Sequence, residues 1–336
     1  MFAKVSVVGE KLREQVPTQL FEIEAHFYTK LAKIYEKLEK DNEVPEEHRL
    51  YIPKYYGGSE TFLEEVLVME DLSVHGYTTY NRLKSIDWEY ASKSVEQLAK
   101  LHALSMAYQK NYPEDFNEAS KVLVRNIPTD SAEMQEMMQL MIREIMTGLT
   151  EEYREKLQKF LVENGGMESF FMYFKTVKRA VISHGDFRMS NLVHKYDEDG
   201  SLRVVVLDYQ TMSVGNFCSD LLYFIFTGSD ADFRRQYYQQ LIDYYYEQLC
   251  LALTRLHLDP EEVYSRKDFD EELEQIIDFG LLIGVMMLPL ITVDMEHVSQ
   301  EIESFDTMVK MAGNVNTLGM QRIREVVDDY VRWGRL

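Results

Sequence analysis

The first part of the chain alternates strand-like and helix-like patterns of apolar residues. β-branched and aromatic residues near the N-terminus predict a short strand containing Phe2, Val5, Val7 and Val8. Residues 19–38 carry apolar side chains at helical spacing, and Thr18 is a possible N-cap. Two further strand-like segments, 52–56 and 65–69, are separated by Gly57 and Gly58. The predicted order of this part is therefore β-α-β-β.

Helical spacing dominates after Leu72. Apolar residues recur with this period over residues 88–108, 132–149 and 152–163, and again over most of 219–336. Two short apolar strands stand out at 180–183 and 204–207, with a hairpin-type turn signal at 196–200 between them. We therefore predict an α+β protein of two parts. A small part comprises residues 1–72, and a large, mainly helical part with an embedded β-hairpin comprises residues 73–336.

Length, composition and charge narrow the class of protein. A chain of 336 residues with 46% apolar residues suits two packed units, and 22 Tyr and 17 Phe are too many for a disordered chain. The net charge of -21 repels phosphate backbones and anionic lipid surfaces. We therefore expect neither nucleic acid nor a membrane among the partners, and expect a small ligand to need a dedicated pocket.

The cysteines and the longest apolar run bear on location. Cys218 and Cys250 are too few for a disulfide framework or a four-thiolate zinc site, and the usage fits a reducing compartment. No secretory signal is visible at the N-terminus. The apolar run 279–293 is interrupted by Pro289 and is shorter than the ~20 residues that cross a bilayer, so we expect a buried core helix. These features predict a cytoplasmic protein.

Several common catalytic motifs are absent from the sequence. There is no G-x-G-x-x-G, G-x-x-x-x-G-K-[ST], G-x-S-x-G, H-E-x-x-H or C-x-x-C. Dinucleotide enzymes, P-loop enzymes, serine hydrolases and simple zinc proteases are therefore disfavoured.

One polar stretch lies between the two short apolar strands. His184-Gly185-Asp186 ends the first strand, Asn191 follows five residues after Asp186, and Asp208 ends the second strand. Each residue alone has an ordinary explanation, such as a turn, a cap or, for His184, a hydrogen-bonding brace. Their order suits phosphoryl transfer. Asp186 can accept the proton of an attacking hydroxyl, and Asn191 and Asp208 offer the hard oxygens that hold Mg²⁺ against the phosphates of ATP.

These residues resemble those of a known group of kinases. Residues 184–191 and Asp208 resemble the catalytic and metal loops of the aminoglycoside and choline phosphotransferases, which share the protein-kinase-like fold. More closely, the chain resembles the ecdysteroid kinase-like (CHK kinase-like) family. Further segments resemble its first-lobe helix, hinge, first large-lobe helix, metal-binding strand end and following helix start, namely 21–28, 68–72, 98–103, 207–210 and 219–221. The resemblance implies a two-lobe kinase-like fold that uses ATP and Mg²⁺.

The resemblance also implies roles for residues near the N-terminus. Lys4 matches the lysine that contacts the ATP phosphates, although by itself it would be an ordinary surface lysine. Glu24 matches the helix glutamate that holds this lysine, with Glu22 as a nearby competitor. Glu70 and Leu72, in the hinge, match positions that contact adenine through backbone groups.

Two residues of the large part receive roles in the same way. Asp220 resembles the family's structural aspartate, which hydrogen-bonds the backbone of the catalytic loop. Arg188, two residues after Asp186, could approach the γ-phosphate or make a surface contact, and the sequence favours neither.

The chain departs from the family pattern at its start. In the family, two strands and a phosphate-covering turn precede the lysine strand, whereas here the lysine is residue 4. We expect either an incomplete N-terminus or a degraded copy. The presence of Asp186, Asn191 and Asp208 together favours the first.

The function predicted from the sequence is an ATP- and Mg²⁺-dependent O-phosphotransferase acting on a hydroxyl group of a small molecule. The resemblance suggests an ecdysteroid or similar metabolite and leaves xenobiotic and choline-like acceptors open. Tyr- and Met-rich helices of the large part are compatible with an apolar acceptor pocket, but such residues are more often part of a core or groove. The alternative is a non-catalytic or truncated kinase-like protein that binds a nucleotide or ligand. A protein kinase is disfavoured because no Ala-Pro-Glu motif follows Asp208.

Overall fold

A three-stranded antiparallel sheet opens the fold. The computed structural model describes residues 1–5, 19–124, 132–166, 170, 172–175, 178–293 and 315–336. The sheet contains β1 (Phe2–Val5), β2 (Tyr55–Ser59) and β3 (Val66–Met69), with β3 in the centre. Alternate residues of β3, Leu67 and Met69, are buried, as expected for a strand with one face on the core. The predicted first strand is confirmed over residues 2–5, while residues 6–8 lie outside the described part.

The predicted helix at 19–38 is confirmed and contains an irregular turn. It consists of α1 (Leu20–His26), a π-helical turn (Phe27–Leu31) and α2 (Ala32–Asp41). Its apolar face is buried along its whole length, through Ile23, Phe27, Leu31, Tyr35 and Leu38. π-helical turns are rare and are found frequently at functional sites.

The predicted strand at 52–56 is shifted, and the glycines after it have a different role. Strand β2 begins at Tyr55, two residues beyond Pro53, which has no amide hydrogen for a sheet. Gly57 and Gly58 lie inside the strand instead of separating two strands, so that part of the prediction is wrong. A Cβ atom on Gly58 would collide with the backbone carbonyl of Val66 on β3. The glycine therefore allows the two backbones to approach.

Helices form most of the remaining structure. Those described are α3 (Trp88–Asn111), α4 (Pro113–Val122), α5 (Ala132–Gly148), α6 (Glu151–Glu163), α7 (Cys218–Gly228), α8 (Ala231–Arg255), α9 (Pro260–Tyr264), α10 (Arg266–Thr292) and α11 (Thr317–Arg332). The long helices predicted from apolar spacing are confirmed within the described residues, while residues 294–314 of the predicted helical stretch 219–336 lie outside the described part. Helix α4 was not predicted, because only Phe116 and Ala119 of its residues are buried and they give no clear period.

Two small antiparallel sheets are embedded between the helices. One joins β4 (Thr78–Thr79), β6 (Leu192–Tyr196) and β7 (Leu202–Val206), and the other joins β5 (Val181–Ser183) and β8 (Ser213–Gly215). The predicted hairpin is confirmed as β6 and β7, although β6 itself was not predicted. Because β5 pairs with β8, the strand before His184 and the strand before Asp208 belong to different sheets.

One buried apolar cluster runs through both parts of the chain, from Ile23 and Leu67 to Tyr330. The stretch Pro260–Thr292 is long and apolar enough to cross a membrane by length and composition. An 18-residue window within it has a mean hydropathy of 1.9, but 78% of that window is buried inside the protein. The prediction of a core helix is therefore confirmed, and the helix continues through Pro289. The α+β class is confirmed, while the division after residue 72 stays a prediction.

Candidate active site

Lys4 joins two carboxylates from distant parts of the chain. Its Nζ lies 2.6 Å from Oε2 of Glu24 on α1 and 2.5 Å from Oδ1 of Asp208, directly after β7. The side chain of Gln210 completes the group, since its Nε2 lies 3.3 Å from Oδ2 of Asp208. The structure thus brings together the first strand, the first helix and the end of the hairpin.

Glu24, and not Glu22, contacts the lysine. The Glu24 side chain is 2% exposed, whereas Glu22 faces solvent on the opposite side of α1. Burial raises the pKa of Glu24, although the charge of Lys4 opposes this effect. Burial alone would lower the pKa of Lys4, but the carboxylates of Glu24 and Asp208 outweigh it and raise that pKa. The charged form of Lys4 is therefore favoured at this site, whereas burial disfavours the carboxylate form of Glu24.

Asp208 has an unusual backbone conformation. Its φ of 66° and ψ of 64° place it in the left-handed region, which costs a non-glycine residue free energy unless its neighbours hold it there. The next residue, Tyr209, is fully buried, and its ring stacks on that of Phe27 with the centroids 3.6 Å apart. Its hydroxyl donates to the carbonyl of Val206 at 3.1 Å. Phe27 begins the π-helical turn, so this turn packs directly against the segment that aims Asp208.

Asp186 is held on both carboxylate oxygens. Nε of Arg188 lies 3.0 Å from Oδ1 and 3.1 Å from Oδ2. Nδ2 of Asn191 donates to Oδ2 at 2.8 Å and to the Asp186 carbonyl at 2.9 Å. Asp186, Arg188 and Asn191 therefore form one compact group. The guanidinium of Arg188 lies on Asp186 within the loop, and the two roles left open for Arg188 stay predictions.

His184 braces the two loops, as the sequence predicts. Its Nε2 lies 3.0 Å from the carbonyl of Leu207, and its Nδ1 accepts the backbone N–H of Asp186 at 3.3 Å. The amide of Leu207 in turn donates to the carbonyl of Asn191 at 2.8 Å. The loop that carries Asp186 and Asn191 is thus tied to the residue immediately before Asp208.

A buried network supports this loop from below. Asp220, near the start of α7, accepts the backbone N–H groups of His184 at 2.6 Å and Gly185 at 2.7 Å, and Nε2 of His102 at 3.1 Å. Nδ1 of His102 lies 2.6 Å from the hydroxyl of Tyr245 on α8. Burial alone would raise the pKa of Asp220, but His102 and the amide of Gly185 outweigh it and lower that pKa.

Sequence reasoning identified Asp220 but missed two members of this network. His102 lies in the segment 98–103 that resembles the family's first large-lobe helix, so its signal was present without a role attached. Tyr245 is one of several tyrosines on α8, and nothing in the local pattern distinguishes it.

The hinge positions contribute backbone groups that are partly occupied. The amide of Glu70 donates to the carbonyl of Lys54 at 2.8 Å, and the carbonyl of Leu72 accepts from Tyr77 at 3.2 Å. The Glu70 carboxylate accepts the hydroxyl of Tyr51 at 3.0 Å. These two hinge backbone groups are therefore engaged inside the protein, and the side chain of Glu70 packs against the segment before β2.

The oxygens near Asp208 fit Mg²⁺, which takes one or two protein ligands together with waters and substrate phosphates. Both Nδ2 hydrogen bonds of Asn191 go to Asp186, whereas Oδ1 of Asn191 accepts only a long hydrogen bond from the Ser190 hydroxyl at 3.4 Å. The Asp208 carboxylate is the second oxygen donor. No larger group of His, Cys, Asp or Glu side chains suited to a metal occurs among the described residues.

One known protein family matches more than half of the chain. The model of the ecdysteroid kinase-like family matches residues 2–258. No curated protein matches the chain. Among solved structures, the ethanolamine kinase of Plasmodium vivax is similar, with 13% sequence identity and a TM-score of 0.43. The similarity covers 90% of this chain and 73% of that one.

Proposed function

The chain belongs to the ecdysteroid kinase-like family, and we propose that it transfers the γ-phosphoryl group of ATP, with Mg²⁺, to a hydroxyl group of a small molecule. The family assignment makes it a small-molecule kinase with the two-lobe kinase-like fold. The cofactors and the roles of individual residues are the proposal.

One observation carries these roles, namely the convergence of Lys4, Glu24 and Asp208 beside the loop of Asp186 and Asn191. Lys4 would bind the α- and β-phosphates, and Glu24 would hold Lys4 in place. Oδ1 of Asn191 and the Asp208 carboxylate would hold Mg²⁺, whose charge neutralises the β- and γ-phosphates when it is bound. The hinge at Glu70 and Leu72 would take adenine through its remaining backbone groups.

Asp186 is the proposed base. The acceptor oxygen forms a bond to the γ-phosphorus, the bond between that phosphorus and the bridging oxygen breaks, and ADP leaves. The hydroxyl proton passes to the Asp186 carboxylate. Arg188 and Asn191 fix this carboxylate within 3.1 Å of their nitrogens, so it is oriented before the substrate arrives. Most of the rate enhancement in such a reaction comes from positioning and charge neutralisation.

Composition supports the expectations about binding partners and cellular location. The net charge of -21 favours a protein that binds neither nucleic acid nor anionic membranes, and the two cysteines suit the cytoplasm. We propose both of these properties.

We also propose the two-part division of the chain after residue 72. Separate expression of residues 73–336 would test the division, since a folded product is expected only if that part is independent.

Thermal stabilisation by ATP tests the proposed nucleotide site. ATP at 100 times its dissociation constant adds about 2.7 kcal/mol to a folded state that binds it. We expect a stabilisation that requires Mg²⁺, that is lost in Asp208→Asn, and that persists in Asp232→Asn, a control whose side chain is 92% exposed. Equal stabilisation of Asp208→Asn would remove Asp208 from the site. Stabilisation without phosphorylation of any alcohol would favour the non-catalytic binder.

A further inference from the structure

A cavity of about 160 Å³ lies beside the catalytic loop. One wall is formed by residues 188–190, from the same loop as Asp186. The apolar end of α10, with Leu290 and Ile291, and the side chain of Thr227 also line the cavity. An alcohol that is to give its proton to Asp186 must occupy space next to this loop. If the proposed function is correct, this cavity adjoins the loop next to which an acceptor has to bind.

Arg82 closes the cavity at the end of α10. Its Nη2 donates to the carbonyl of Val293 at 2.8 Å, and its Nη1 donates to the carbonyl of Ile291. The last carbonyls of a helix have no partner within the helix and carry the negative end of its dipole. Without a hydrogen-bond donor, these carbonyl groups would attract cations. Arg82 covers two carbonyls at this helix end and puts a full positive charge in their place.

The charges that face the cavity do not cancel. Arg188 is balanced by Asp186, whose two carboxylate oxygens it contacts. Arg82 contacts carbonyl groups, and no carboxylate in the described part of the chain forms an ion pair with it. No acidic side chain is among the described residues that line the cavity. Among the described residues that line the cavity, the positive charge of Arg82 is therefore not balanced by a carboxylate.

We propose that this cavity is the acceptor subsite and that Arg82 makes it select alcohols without a positive charge. The apolar end of α10 would contact the body of the acceptor, while the hydroxyl oxygens of Ser190 and Thr227 would accept hydrogen bonds from its polar groups. The Thr227 hydroxyl itself donates to the carbonyl of Tyr223 at 2.7 Å. An ammonium alcohol would be repelled by Arg82, and the described residues that line the cavity offer it no carboxylate. This inference rests on the proposed function and decides between acceptor classes that the sequence leaves open.

A pair of alcohols of the same shape tests the selection. Choline and 3,3-dimethylbutan-1-ol differ by one positive charge, and binding is measured by ligand-observed NMR titration with the nucleotide site filled by Mg²⁺ and ADP. Like charges a few ångströms apart near a protein surface repel strongly enough for a preference of about tenfold or more. We expect wild type to bind the neutral alcohol at least about tenfold more tightly, and to phosphorylate it faster when ATP is supplied.

Variants of Arg82 test whether its charge causes the preference for the neutral alcohol. Arg82→Met removes the charge and uncovers the carbonyls. The ratio of the affinities for the neutral alcohol and for choline should therefore fall towards one or reverse. Arg82→Lys retains the charge and should retain the preference. Arg235→Met, at a half-exposed arginine on α8, changes the net charge equally and should have no effect.

Three results would overturn the inference. They are tighter or equal binding of choline by wild type, an unchanged preference in a folded Arg82→Met, and binding of neither alcohol. If Arg82→Met does not fold, the wild-type and Arg82→Lys ratios still decide. Because the titration needs no phosphoryl transfer, its outcome is separate from the proposed function, which fails if Mg²⁺ and ATP do not stabilise the protein.

Discussion

Nζ of Lys4 lies 2.5 Å from Oδ1 of Asp208, although 204 residues separate the two in the chain. This contact joins the edge strand of the first sheet to the end of the embedded hairpin. Incoming phosphates would take Asp208's place as partners of Lys4, and the carboxylate would then be available to Mg²⁺. Nucleotide and metal binding are therefore expected to depend on each other at this pair.

Lys4→Met should weaken ATP binding by at least about tenfold, since a charge-assisted contact to the phosphates is lost. It should also lower the free energy of unfolding by about 1–3 kcal/mol, because buried Glu24 loses its partner while Lys4 itself is partly exposed. The double variant Lys4→Met/Glu24→Gln removes that buried charge. It should recover stability in urea unfolding without recovering ATP affinity. Recovery of both would mean that Lys4 has only a structural role.

Asp186→Asn should lower turnover by about 10²–10⁴, the usual contribution of a general base. The amide oxygen can still accept from Arg188, so the melting temperature should change little. ATP-dependent phosphorylation of a neutral alcohol measures the effect, with Asp232→Asn as the control for loss of one negative charge. An undiminished rate in Asp186→Asn would exclude Asp186 as the base.

Asp220→Asn should destabilise the protein by about 2–4 kcal/mol at pH 7. Two backbone amides and His102 donate to the carboxylate, and an amide side chain has one oxygen for these three donors. The pKa of Asp220 is lowered in the fold, so its stabilisation is complete above its usual pKa and is lost as the pH falls through the lowered value. The difference between wild type and variant in urea should therefore shrink below about pH 4. A difference that is constant with pH would contradict the charge-based role.

Glu39→Gln should stabilise the protein at alkaline pH. Burial raises the pKa of Glu39 to about 7, and its Oε1 accepts the amide of Leu50 at 2.7 Å, which a glutamine can also do. The folded state binds this proton more strongly than the unfolded state. The carboxylate therefore costs stability progressively between its usual pKa, near 4.5, and about 7. Above that pH the variant should be more stable by about 2–3 kcal/mol.

Urea unfolding from pH 5 to pH 8 measures the effect of Glu39→Gln. Glu36→Gln serves as the matched control, because Glu36 lies on the same helix with 60% of its side chain exposed. The same pH dependence in both variants would place the cause in the overall charge and not in the burial of Glu39.

Elements with a strong local pattern could be predicted from the sequence. The apolar period of residues 88–108 is long enough to predict α3, because any packing of such a helix buries the same face. The order of His184, Asp186, Asn191 and Asp208 was also visible, since it is set by short loops after strands. The first residue of β2 could not be predicted from the sequence. The position of this strand depends on how it pairs with β3, where Gly58 fits under the Val66 carbonyl.

By itself, the sequence determined the long helices of the large part and the central residues of the candidate site, namely Lys4, Glu24, Asp186, Asn191 and Asp208. Only the tertiary structure decided which of them meet. It selected Glu24 over Glu22, because residues two apart point to opposite sides of a helix and packing fixes the buried side. It placed Tyr245 on His102 and Arg82 on the carbonyls of Ile291 and Val293. Such contacts join distant segments, and no local period encodes them, because they follow from how whole helices and sheets pack.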